Sequence, residues 1–106
     1  MKYRVQRATG ALAVDMTIAP GVAWQLESIR IHLSAGGAAT DLTATVDAGA
    51  GAAYDVVLVT QDMDNVTDYV YQPDRPIPLG PNDELVIAYN NGGGATYGIE
   101  VYYQAI

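Results

Sequence analysis

Gly21-Val-Ala-Trp-Gln-Leu-Glu-Ser-Ile-Arg-Ile-His-Leu-Ser34 carries two alternating apolar runs that are out of phase with each other. Val22, Trp24 and Leu26 occupy even positions, whereas Ile29, Ile31 and Leu33 occupy odd ones. Side chains alternate between faces along a strand, so an uninterrupted strand would send one of these sets to solvent. One extra residue near Glu27-Ser28 returns both sets to a common face. A β-bulge supplies such a residue, bending the strand and raising its twist. A long, bent strand holding the only tryptophan suits the spine of a two-sheet sandwich.

Outward from this spine the chain repeats one rhythm, short alternating runs divided by turn residues. The pattern predicts strands at Lys2–Ala8, Leu12–Ile18, Val22–Ser34, Asp41–Ala48, Ala53–Gln61, Val66–Tyr71, Asp83–Asn90 and Ala95–Ala105. Gly and Pro punctuate the intervals because they supply φ > 0 or fix φ, and neither continues a central strand well. No window sustains apolar residues at i, i+3 and i+4, so helices longer than one turn are not expected. Eight strands in 106 residues define the fold class as all-β, an antiparallel β-sandwich of jelly-roll type, in a single domain spanning 1–106.

The alternation also assigns faces. Val22, Trp24, Leu26, Ile29, Ile31 and Leu33 are expected in the core with Leu42, Ala44, Val46, Leu85, Ile87, Tyr89, Tyr97, Ile99, Val101 and Tyr103. Tyr54, Val56 and Leu58 compete with Val57 and Val59, which predicts a strand covered on both sides. Phenylalanine is absent while tyrosine numbers eight, and tyrosine hydroxyls favour rims and interfaces.

The net charge is −7, and its distribution is uneven. Lys2, Arg4 and Arg7 are three of the five Lys and Arg, so residues 1–8 form a basic N-terminal strand or arm. From residue 8 onward two bases, Arg30 and Arg75, face all twelve acids, a net of −10. Such a body repels phosphate backbones, so no direct nucleic-acid binding is expected. The cysteine count of zero excludes disulfides, thiolate zinc sites and cysteine nucleophiles. No segment reaches the roughly 18 apolar residues of a membrane span, and Met1–Arg7 lacks the apolar run of a secretory signal. The expectation is a chain made in the cytoplasm, with no membrane partner.

Candidate chemistry is sparse. The only histidine, His32, lies two residues from Ser34, on the same face of one strand. With Arg30 they form a polar row, and nothing in that row makes a nucleophile–base–orienter arrangement. No catalytic residue and no cofactor site is assigned. Asp62, Asp64, Asn65 and Asp68 supply hard oxygens of the kind Ca²⁺ prefers, but Pro73 stands where an EF-hand requires its bidentate glutamate. A solvated turn is the expected reading of that loop, and a calcium-dependent binding domain is the alternative it would support. Tyr69, Tyr71, Tyr97 and Tyr102 are the candidates for a sugar-stacking platform in a carbohydrate- or receptor-binding module. The loop Asn90–Ala95 joins two strands and lacks a following lysine, so it is a hairpin tip and not a phosphate cradle.

Three segments together, Trp24–Leu33, Asp41–Val46 and Leu79-Gly-Pro-Asn-Asp-Glu-Leu-Val-Ile-Ala-Tyr89, resemble small β-sandwich virion proteins of tailed bacteriophages. The resemblance is one of strand rhythm from about residue 12 to the end. It implies a non-enzymatic role, decorating or cementing the capsid. The implied partners are the major capsid protein and copies of the chain itself, with synthesis in the host cytoplasm and final residence in the virion. Lys2, Arg4 and Arg7 in the basic strand, and Arg30 and His32 in the polar row, are then the expected partner contacts.

Overall fold

The computed structural model describes residues 2–106, which form nine strands and one short 3-10 turn, Ala52–Tyr54. The strands are β1 (Lys2–Gly10), β2 (Val14–Ile18), β3 (Trp24–Leu33), β4 (Asp41–Asp47), β5 (Val56–Asp62), β6 (Asp68–Tyr71), β7 (Ile77–Leu79), β8 (Glu84–Tyr89) and β9 (Tyr97–Ala105). One sheet runs β1-β9-β3-β6, with β7 continuing beside β6 on the same edge of β3. The other runs β2-β8-β4-β5, and every ladder between named strands is antiparallel. The pairs nest as β1 with β9, β2 with β8, β3 with β6 and β7, and β4 with β5. A long hairpin rolled over on itself gives this order, which is the jelly-roll topology expected from the strand rhythm.

The bulge falls where the phase change requires it. Leu26 pairs with Tyr103 and Ser28 with Tyr102, so Glu27 is the extra residue. Trp24, Leu26, Ile29, Ile31 and Leu33 are consequently all buried on one face. Trp24 sits edge-on to Tyr103, ring centroids 5.4 Å apart, and its indole N–H donates to the Asp83 carbonyl at 3.3 Å. That bond satisfies the one polar atom of the ring in the core. On the opposite sheet Val14, Met16, Ile18, Leu42, Ala44, Leu85, Ile87 and Tyr89 complete the interior.

Three features differ from the sequence expectation. Val22 lies before β3 and is 45% exposed, because the strand begins only at Trp24. The strand β5 is not covered on both sides: Tyr54, Val56 and Val57 are exposed and only Val59 is buried. The molecule has only two layers, so no strand is covered on its outer face, and a bulge that skips Leu58 sends Val57 and Val59 to different environments. Finally, the edge partner of β3 is broken in two. β6 ends at Tyr71 opposite Ile29 and β7 resumes at Ile77 opposite Leu26, with Pro73 and Pro76 in the gap beside the Glu27 bulge. Proline cannot donate to a ladder, so strand pairing lapses there.

Candidate functional site on the outer face of the five-stranded sheet

The register of β1, β9, β3 and β6 builds two rows of side chains on the outer face. Arg7 pairs with Glu100, Glu100 with Arg30, and Arg30 with Val70. In the next row Thr9 pairs with Gly98, Gly98 with His32, and His32 with Asp68. Gly98 has no positive φ, and a β-carbon built on it meets nothing within 4 Å. Neither backbone conformation nor close packing therefore demands glycine here. Its effect is to leave out a side chain in the middle of the sheet, and an open groove of about 700 Å³ lies over the gap.

The walls of the groove are ordered by their own contacts. Arg7 Nε donates to Glu100 Oε2 at 2.6 Å. That bond holds the Glu100 carboxyl below its ordinary value and raises the Arg7 guanidinium above its own. His32 Nδ1 and Asp68 Oδ1 lie 2.6 Å apart, and the Thr67 hydroxyl donates to the other Asp68 oxygen at 3.0 Å. Both contacts lower the Asp68 pKa, the histidine contributing most. Arg30 forms no ion pair among the described residues; its guanidinium lies 4.4 Å from the centroid of the Tyr102 ring. A cation over an aromatic face is held by the ring quadrupole, and the in-plane N–H groups stay open to solvent.

Of the five residues expected to contact partners, the fold brings Arg7, Arg30 and His32 together in this groove. Lys2 and Arg4 lie apart, on the exposed first half of β1. The tyrosine platform is not assembled: Tyr97 is buried, Tyr69 and Tyr71 pack against the core, and Tyr102 lies under Arg30.

The acidic loop is likewise engaged in structure. Asp62 accepts the Asp64 amide, Asp68 turns to His32, Asn65 takes a left-handed φ of 58°, and Met63 is fully buried. Backbone bonds between Gly37 and both Asn65 and Val66 pin the loop to its neighbour. Among the described residues no group of three or more His, Asp or Glu side chains is placed to hold a metal. The Asn90–Ala95 tip is also tied down, because Asn91 Nδ2 donates to the carbonyls of Leu12 at 2.9 Å and Ala95 at 2.8 Å.

Sequence reasoning missed Thr9, Gly98, Glu100 and Val70 as members of the groove, and placed Asp68 elsewhere. The one local signal was an isolated glycine inside the alternating run Tyr97–Tyr103, a pattern that marks a bulge or a site where another group approaches.

The fold and site define a jelly-roll sandwich with a built groove on one outer face. A crystal structure of PirA is similar, with a TM-score of 0.51, 16% sequence identity and coverage of 92% of each chain. At that identity the likeness extends to the fold alone. No protein-family model matches the sequence, and no curated protein matches it. No helix among the described residues is long and apolar enough to cross a membrane.

Proposed function

We propose that this chain is a non-enzymatic structural protein of a tailed-phage virion, decorating the capsid through protein–protein contacts. The observation that supports this reading is the first half of β1. Register with β9 continues out to Lys2 opposite Ala105, yet Lys2, Tyr3, Arg4 and Val5 are exposed on both faces of the strand. A sandwich strand ordinarily buries one face. Here Tyr3 is 70% exposed, and Val22 and Ile106 are exposed at the same end of the sheet. Apolar side chains and two bases thus share one end of an otherwise acidic molecule. That combination suits docking on an acidic protein surface, with the apolar groups supplying area and Lys2 and Arg4 supplying orientation. Many copies on one shell would convert modest single contacts into stable decoration.

The test is co-sedimentation of the purified chain with expanded capsids of the phage proposed to carry it. Saturable binding that raises the capsid melting temperature is expected, and Tyr3→Glu with Arg4→Glu should abolish it. Absence of saturable binding to expanded capsids overturns the assignment.

A further inference from the structure

We propose that the groove over Gly98 binds a carboxylate-bearing saccharide, with Arg30 receiving the carboxylate. The chain has six basic side chains, and three of them line this one groove, beside only two of its twelve acids. Arg7 and His32 are already matched to Glu100 and Asp68. Arg30 makes no ion pair of its own among the described residues, though Glu100 lies across the ladder from it, and its guanidinium sits 4.4 Å from the centroid of the Tyr102 ring. A stacked guanidinium presents its in-plane N–H groups as a fork, which fits a carboxylate bidentately.

The rest of the wall selects among carboxylates. Glu100 and Asp68 are each engaged by a neighbour, Glu100 by Arg7 and Asp68 by His32 and Thr67, and a carboxylate keeps further lone pairs that a hydroxyl donor can fill. A sugar ring with one carboxylate and neighbouring hydroxyls matches both requirements. Acetate would meet Arg30 but offer no hydroxyl to Glu100 or Asp68, and a neutral sugar would leave Arg30 unmatched. The bare backbone at Gly98 on β9 and the exposed Val70 side chain on β6 contribute apolar surface to the groove, suited to the C–H face of a ring. The volume of about 700 Å³ falls in the small-molecule range, roughly 300–1,000 Å³.

Charge also limits the length of the ligand. Beyond the groove the molecule carries its acidic excess, so a long polyanion would meet repulsion. Screening confines exposed charges to about 8 Å at physiological salt, so a compact acidic sugar experiences the charges that line the groove and little of the acidic surface beyond it. The occupant is therefore a free or chain-terminal acidic sugar, and not an acidic peptide or a nucleic acid. Lys2–Val5 lies outside the groove, so this binding does not depend on capsid attachment.

Backbone amide NMR on the folded chain provides the test, with sodium glucuronate and sodium N-acetylneuraminate as probes. Methyl glucoside, acetate and an oligoglutamate peptide serve as the comparison ligands. Saturable shifts centred on Gly98, Arg30 and His32 with an acidic sugar are expected. Arg30→Gln should weaken that binding at least about tenfold. Gly98→Leu should fill the groove and abolish it, with thermal unfolding of both variants measured alongside to confirm the fold. Three results overturn the proposal: no saturable shift by about 10 mM of either acidic sugar, an equal response to methyl glucoside or acetate, or tighter binding of oligoglutamate. Should Gly98→Leu unfold, the Arg30→Gln comparison still decides the question.

Discussion

Gly98 and Gly37 look alike in the sequence and do opposite things in the fold. A β-carbon on Gly37 would run into the Met63 carbonyl oxygen and the Tyr89 hydroxyl, because the loop after β5 pairs closely with it. On Gly98 it would meet nothing within 4 Å. Gly37→Ala should therefore cost roughly 1–3 kcal/mol through overpacking. Gly98→Ala should change stability by no more than about 0.5 kcal/mol. Urea midpoints of the two variants measure the contrast. Asn91 is a second residue whose work is hidden until the chain is folded. Its amide bridges Leu12 and Ala95 from a left-handed φ of 52°, a conformation asparagine tolerates better than most residues. Asn91→Ala should destabilise by about 1–2 kcal/mol, since the buried Asn91 side chain loses both of its bridging hydrogen bonds. Denaturant titration with tryptophan fluorescence reads that loss.

Among the elements, β3 is the most completely written in its own residues. The two phases of its apolar run require one extra residue, and Glu27 is that residue. Deleting Glu27 would place Trp24 and Leu26 on the solvent face whenever Ile29–Leu33 face the core. The expected outcome is loss of the cooperative fold, seen as collapse of the near-ultraviolet tryptophan circular dichroism. Strand β5 shows the opposite case. Its apolar run reads as doubly covered, but coverage depends on how many layers the fold stacks, and no residue of β5 carries that information. The split between β6 and β7 was partly readable, since Pro73 and Pro76 mark an interruption. The return to pairing at Ile77–Leu79 depends on β3 lying alongside.

For the molecule as a whole, the carboxylates set the response to acid. Asp68 is lowered chiefly by His32, Glu100 by Arg7, and Asp83 by the backbone amides of Gly80 and Gly49. All three ionise below their ordinary values, so the native state holds their protons less tightly than the unfolded chain does. Their stabilisation is complete above the ordinary carboxylate range, about pH 4, and is lost as pH falls through the lowered values. These three carboxylates should accordingly add no pH dependence to the melting temperature above that range and lower it below. Replacing Asp83 with Asn should reduce the drop, which thermal melts across acidic buffers would show. The Asp68 and Glu100 pairs are solvent-exposed, so added salt should weaken their share first.

Strand periodicity, the bulge, the two-sheet class and most of the core residues are properties of neighbours along the chain. A period of two is a local rule, and each strand obeys it without reference to the others. The groove is a property of register. Arg7 and Glu100 lie 93 residues apart in the chain, and His32 and Asp68 lie 36 apart. They meet because the ends of a rolled hairpin pair with each other and then with its middle. Nothing local to Arg30 or Gly98 announces that one stands beside Tyr102 and the other beneath open space. The sheet assembles that combination of charge, acceptor and bare floor from four strands whose pairing is settled only as the two layers close over the core.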